Sequence, residues 1–371
     1  EKHNESLLLS LPILSALFIF LSCLAYPIIL PALSGTSLIV GSFVGSFVLL
    51  AFPLIFLSAV NPILISLLRQ STNSKDSGAG FILFISTLGS VVGVLVTALL
   101  MVPNISNFSA MLVNGIGLIL FTILTIIITH SNRPSSVNTR ILITSIFVIL
   151  LCFSLLFWKN DYLKIATTDI DSKGNRYRLL SEHQSHYGNL KVVGLVRKGK
   201  EEISRYLLLQ DGLAQSIIGI NGISLATYTY NLEKLTNIFP NATNALILGF
   251  GAGVVPRKLR QKGIEVSVVD INPDTLEIAK KYFHYQQKGT KFFFEDARTF
   301  LKNCVNEYDI VVLDLFHGDG MPEHMMTKES FQDIKTCLHK DGILVSNILI
   351  GLEKEDAWMS SLATVNSVFS N

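Results

Sequence analysis

The stretch LILGFGAGVVPRKL, Leu246 to Leu259, followed by VSVVDINPD, Val266 to Asp274, decides the fold of this chain. Ala245 to Leu248 is a short apolar run with the length and bounding of a buried strand. It breaks into Gly249, Gly251 and Gly253 and then into a segment that can start a helix. About twenty residues past that turn, the spacing this kind of site uses, a second apolar run ends at Asp270. Glycines at such a turn let backbone approach a ligand closely, and an acid at the next strand end accepts hydrogen bonds from ribose hydroxyls. A GxGxG alone also fits a plain strand-to-helix turn. With the acid at this spacing, and strand and helix signals on both sides, the stretch points to a ribonucleoside ligand.

Working outward, a helix is expected over 226–239, then alternating strand and helix patterns over 265–270, 273–283, 291–295, 297–303, 309–314, 328–339 and 343–347. Alternation of this kind means an α/β domain with a mainly parallel, doubly wound sheet and ligands at the carboxyl ends of its strands. Asp270, Asp296 and Asp314 each stand at such an end, which makes them binding-site candidates rather than scattered surface charges. Upstream, residues 175–218 read as short antiparallel strands, YRLLSEHQS, LKVVGLVR and ISRYLLLQDG, with hairpin chemistry at RKGKEE, Arg197 to Glu202.

The remainder is of another class. A mean hydropathy of +0.47 with 16% charged residues is too apolar for a purely soluble enzyme, and the apolarity is concentrated before residue 158. Five apolar runs, 7–33, 36–68, 81–102, 108–129 and 141–158, contain no Asp, Glu, Lys or Arg and approach or exceed the roughly 20 residues of a spanning helix. Pro53 and the pair Asn61-Pro62 should kink the long second run. Gly41, Gly45 and Ser46, with Gly89 and Gly93, offer small residues for close helix packing. The absence of charge inside the runs disfavours a proton-coupled transporter and favours an anchor or scaffold, or a bundle that delivers a lipid-like substrate. The net charge of +2 gives no reason to expect nucleic acid, and the four separated cysteines suggest neither a disulfide framework nor a metal site. Arg69 and Lys75, then His130, Arg133 and Arg140, put two loops in the cytoplasm by the positive-inside rule, so an odd fifth span would put the remainder outside. A domain using a cytosolic nucleoside belongs inside, and a cytoplasmic domain on a bacterial inner-membrane protein is the expectation. The chain starts at Glu1 without Met and stops at Asn371, before the last strands such a sheet usually has, which leaves truncation at either end open.

From about Tyr177 to Ile350 the chain resembles spermidine synthase and its relatives, aminopropyltransferases on a methyltransferase-type Rossmann fold. LLLQDGLAQS resembles the family's Leu-Asp-Gly-x-x-Gln element, with Asp211 and Gln215 on the matching positions. LILGFGAG resembles its glycine loop, VVDINPD its ribose-binding strand end, and EDARTFL, with Asp296 and Ala297, the element whose acid reads the adenine amino group. YDIVVLDLFHGDGMPEHMMTKESF resembles the catalytic strand and gating loop, and its Gly318-Asp319 and Pro322-His324 are like the membrane-fused branch. The resemblance implies that Gln215, Gly249, Gly251, Gly253, Asp270, Asp296 and Ala297 bind S-adenosylmethionine or its decarboxylated form. It makes Asp314 the base or amine-orienting acid and Tyr228 an acceptor-orienting group, with Asp211, His317, Asp319 and His324 at the acceptor or the gate. A homo-oligomer is compatible with it.

Three departures bear on the acceptor. An acid of the family's glycine loop is Ala252 here, the Tyr-His-Glu element becomes Tyr228-Thr229-Tyr230, and the gating loop's second acid is His317. Desolvated ammonium groups need carboxylates, each charged hydrogen bond being worth about 1.5–3 kcal/mol. Losing the Ala252 acid also removes a charge that would repel the carboxylate of intact S-adenosylmethionine. The expected chain is therefore a transmembrane bundle over 1–158, a small antiparallel β subdomain over 159–225 and a Rossmann-like domain over 226–371. Its expected activity is aminopropyl transfer to a small amine, in polyamine biosynthesis, without a metal. Methyl or aminocarboxypropyl transfer from intact S-adenosylmethionine, and a non-catalytic nucleoside sensor, are the alternatives.

Overall fold

The computed structural model describes residues 2–33, 38–72, 77–130, 136–166, 173–316, 321–348 and 355–369. The chain divides into two compact units, Glu1–Thr168 and Asp169–Asn371.

The first unit is helical: α1 (Lys2–Leu33), α2 (Leu38–Ser58), α3 (Val60–Thr72), α4 (Ser77–Val96), α5 (Asn107–His130), α6 (Ser136–Phe157) and the short α7 (Lys159–Ala166). Among the described residues, five stretches are long and apolar enough to cross a membrane: Asn4–Leu30, Ile39–Arg69, Gly78–Met101, Asn107–Ile128 and Thr139–Phe157. Their core is α1 between α5 and α6, with Ile13, Ala16 and Cys23 buried against Leu112, Ile119, Val148 and Cys152. The long second run is divided between α2 and α3, with Pro53 inside the first. Pro53 has no N–H for the carbonyl of Leu49, and Ser22 Oγ of α1 donates to that carbonyl at 2.5 Å. The helix is interrupted at Ala59, and Pro62 lies in the first turn of α3, where a missing N–H costs nothing. α7 joins this unit through the Tyr162 hydroxyl, which donates to the carbonyl of Leu24, so the helical unit extends past residue 158.

The second unit opens with an antiparallel meander of β1 (Arg176–Ser185), β2 (Gly188–Val196), β3 (Ile203–Gln210) and β4 (Leu213–Gly219). The sequence reading has no separate strand over 213–219; the tight turn at Asp211 and Gly212, both at positive φ, folds that segment back on β3. Next come α8 (Thr227–Thr236), β5 (Asn244–Leu248), α9 (Val254–Gln261), β6 (Glu265–Val269), α10 (Asp274–Tyr282), β7 (Thr290–Phe293), α11 (Ala297–Leu301), β8 (Tyr308–Leu313), α12 (Lys328–Cys337), β9 (Leu338–Ser346) and α13 (Glu355–Asn366). These strands form one parallel sheet in the order β7-β6-β5-β8-β9. Alternate residues of β5 supply its two cores. Leu246 and Leu248 pack with Val311, Leu313 and Phe331, whereas Ala245 and Ile247 pack with Val268, Ile310 and Leu259. The strand order turns outward in both directions from β5 and β8, which opens a crevice beyond their carboxyl ends.

One expectation about cysteine is corrected. Cys304 and Cys337, 33 residues apart in sequence, form a disulfide. β8 returns the chain alongside the end of α12, where Asn306 N donates to Thr336 O and Glu307 N to Cys337 O, and this brings the thiols together.

Candidate active site

The crevice is a cavity of about 430 Å³, within the range of small-molecule sites. Gly249 follows β5 directly and has φ +95°; a Cβ there would stand 2.2 Å from the carbonyl oxygen of Asp314, so glycine is what allows the β5 and β8 ends to lie this close. Asp270 leaves β6 and turns back over the same loop. Its Oδ2 accepts from Phe250 N at 2.9 Å and its Oδ1 from Asn272 N at 2.8 Å. The acid thus fixes the glycine loop, and each oxygen keeps a second acceptor direction for a ribose hydroxyl. Asp314 leaves β8, its backbone N–H donating to Leu248 O at 2.9 Å and its Oδ1 accepting from Asn347 Nδ2 at 2.8 Å.

Burial sets the charge state of both acids. It raises Asp270 to about 6 against the opposing bonds from Asn272 and Phe250, and raises Asp314 to about 6 against the bond from Asn347. Tyr228, on α8, is raised by burial and then by the charge of Asp314, and the Ser216 hydroxyl opposes this. Its hydroxyl donates to Gln215 O at 3.1 Å. Asp270, Glu295, Asp296 and Asp314 line the cavity, and among the described lining residues there is no Lys or Arg. The site therefore favours a cation.

The other expected residues divide. Gln215, Gly249, Gly251, Asp296, Ala297, Tyr228 and His324 line the same cavity as Asp270 and Asp314. Asp296 caps α11, its Oδ1 accepting from Thr299 N at 3.0 Å, while its Oδ2 lies 3.3 Å from His324 Nε2. Gly253, expected to touch the ligand, is not in the wall: it starts α9 at φ +72°, and a Cβ there would meet the rings of Tyr285 and Phe250. Asp211, expected at the acceptor or gate, is not among the residues lining the cavity; it sits in the β3–β4 turn and accepts from Asn189 N at 3.0 Å. Ala252 is buried in an apolar cluster with Leu190, Val254 and Ile278. His317 and Asp319 lie outside the described residues. No group of three or more His, Cys, Asp or Glu that could hold a metal ion is found among the described residues.

Sequence reasoning missed Tyr187, Gln210, Asn272 and Glu295 in the wall. Asn272 and Glu295 adjoin quoted motifs and were within reach, since loop residues after strand ends face such a crevice. Gln210 Nε2, at the end of β3, donates to Tyr187 O in the β1–β2 turn, and no local pattern signals that.

Residues 228–371 match the Spermine/spermidine synthase domain. A polyamine aminopropyltransferase of Vibrio vulnificus is 35% identical over 136 residues, 35% of this chain and 44% of that protein. One from Clostridium beijerinckii is 32% identical over 174 residues, 43% of this chain and 61% of that protein. An N-terminal histidine N-methyltransferase of Emericella nidulans is 30% identical over 132 residues, 34% of this chain and 23% of that protein. The chain thus spans less than two thirds of each of these relatives. The glycine turn and the three strand-end acids thus lie in the segment, residues 228–371, that is similar to the spermine/spermidine synthase domain.

Proposed function

We propose that the chain is a membrane-anchored aminopropyltransferase that moves the aminopropyl group of decarboxylated S-adenosylmethionine to a small amine, in polyamine synthesis. The observation that carries the reading is the pair of acids, Asp270 and Asp314, at adjoining strand ends of one cavity that has carboxylates and no described Lys or Arg in its wall. Asp270 takes the ribose hydroxyls, Asp296 and Ala297 the base, and the glycine loop the space between. A positively charged sulfur then lies near Asp314. The amine nitrogen attacks the carbon next to sulfur, the C–N bond forms as the C–S bond breaks, and the bonding pair returns to sulfur, giving neutral methylthioadenosine. The proton released by the amine passes to the Asp314 carboxylate and on to solvent, and Tyr228 fixes the wall behind the acceptor. In-line displacement needs little beyond alignment and a proton acceptor, which these residues supply.

The histidine N-methyltransferase among the relatives favours a second reading, methyl transfer from intact S-adenosylmethionine. Incubating the purified chain with each sulfonium donor and a polyamine mixture separates the two. Methylthioadenosine as the released nucleoside supports aminopropyl transfer, S-adenosylhomocysteine supports methylation, and the release of neither defeats both. Membrane anchoring is supported by five apolar helices whose outer faces expose Phe43, Phe84, Phe121 and Phe147 by 59–71%. We place the domain on the cytoplasmic side, where the donor is made. The Cys304–Cys337 bond pulls toward an oxidising compartment, and a fluorescent-protein fusion after residue 371 decides: fluorescence supports the cytoplasm, a dark fusion at normal expression overturns it.

A further inference from the structure

Asp314 depends on a neighbour that none of the motifs above contains. In the parallel pair of β8 and β9, Leu313 stands opposite Ser346, and Asn347 N continues the ladder by donating to Leu313 O at 2.9 Å. Asp314 and Asn347 are thus the next residues of two adjoining strands. Side chains at matched positions of neighbouring strands point to the same side, and here the Asn347 amide donates to Asp314 Oδ1 at 2.8 Å. We infer that Asn347 is a positioning residue for the transfer proposed above, its amide clamping one oxygen of Asp314 so that the second is presented to the reacting amine.

The chemistry of the donor matters. A lone aspartate at a strand tip keeps rotational freedom about two bonds, which one hydrogen bond from a rigid neighbour removes. A lysine in that place would also orient the carboxylate, but its charge would cancel the one that the cationic sulfur and the amine require. A neutral amide orients Asp314 and leaves its full charge to the substrates. Among the described residues, the titratable groups that share the cavity wall with Asp314 are Tyr187, Tyr228, Asp270, Glu295, Asp296 and His324, and all are retained in the variants below.

The inference rests on the proposed reaction for its meaning but not for its test. In the full chain, the carbonyl band of protonated Asp314 is followed by infrared spectroscopy against pH and assigned by its loss in Asp314→Asn. Asn347→Leu replaces the amide by an apolar group of similar size, Asn347→Ser leaves a hydroxyl too short to reach, and Asn347→Gln retains the amide. Losing the bond removes an interaction that favours the ionised form, so the band titrates at higher pH in the Leu and Ser variants and returns toward wild type in Gln. Turnover with decarboxylated S-adenosylmethionine and putrescine falls about tenfold to a hundredfold in Leu and Ser, its acidic limb moves to higher pH, and methylthioadenosine binding is unchanged. A purely structural Asn347 would lower thermal stability without moving the titration. An Asp314 band that titrates as in wild type, in whichever of the Leu and Ser variants folds, overturns the inference. A wild-type chain that turns over neither donor defeats the reaction instead, and the infrared titration still judges the clamp.

Discussion

Asp314 and Asp270 are set against the stability of the domain that holds them. The folded protein keeps their protons up to about pH 6, whereas an unfolded chain releases them near pH 4. Between those values the native state binds more protons, so stability falls as pH rises, and the whole penalty is present above pH 6. For Asp314 the penalty is on the order of 1–3 kcal/mol, which a bound cation would offset. Asp314→Asn should therefore raise the melting temperature by a few degrees at pH 7.5, show no gain at pH 4, and abolish turnover. Calorimetry at the two pH values checks it; a variant no more stable at pH 7.5 would mean the acid is not desolvated. Asp270→Ala should act differently, because Asp270 holds Phe250 N and Asn272 N as well as the ligand. Methylthioadenosine binding should weaken roughly ten- to a hundredfold, and titration calorimetry that returned wild-type affinity would remove Asp270 from the site.

At the scale of elements, the glycine loop does two jobs that its motif does not separate. Gly249 lets β5 and β8 end side by side, whereas Gly253 lets α9 start against the aromatic group of Phe250 and Tyr285, whose centroids lie 4.9 Å apart. Gly253→Ala combines a left-handed φ with a Cβ 2.5 Å from the Tyr285 ring. It should cost about 2–4 kcal/mol, by strain plus overpacking, while the nucleoside affinity of the molecules still folded stays close to wild type. Denaturant unfolding and methylthioadenosine titration on the same sample test both halves. Much of this site could be read from sequence, since a strand end, a glycine turn and an acid lie within one local stretch. Asp270, Asp296 and Asp314 were found by their position after apolar runs. What escaped was what only strand pairing creates: β4 folding back at Asp211, Tyr187 beside Gln210, the clamp from Asn347, and the Cys304–Cys337 bond. Asp211 and Gly253 stand inside recognisable motifs but outside the cavity wall, one shaping a turn and the other a packing contact.

For the molecule as a whole, the question is whether the helices contribute to the chemistry or only to its location. Every residue lining the cavity, from Tyr187 to Met325, lies in the unit Asp169–Asn371, as does Asn347. That unit has its own cores: the two faces of the parallel sheet and the cluster of Leu190, Leu208, Ile218 and Phe283 between the meander and α10. A chain cut to begin at Asp169 should then fold, remain in solution without detergent, and bind methylthioadenosine as tightly as the full chain. A small polyamine would reach either form from water, so turnover with putrescine should also match. An acceptor delivered along the bilayer would behave otherwise, because the truncated chain would keep the nucleoside affinity and lose turnover only on that acceptor. Equal affinity with equal putrescine turnover assigns the helices to anchorage. Affinity lost in a well-folded truncated unit would show that the helical unit shapes the nucleoside site, against the assignment of that site to the second unit alone.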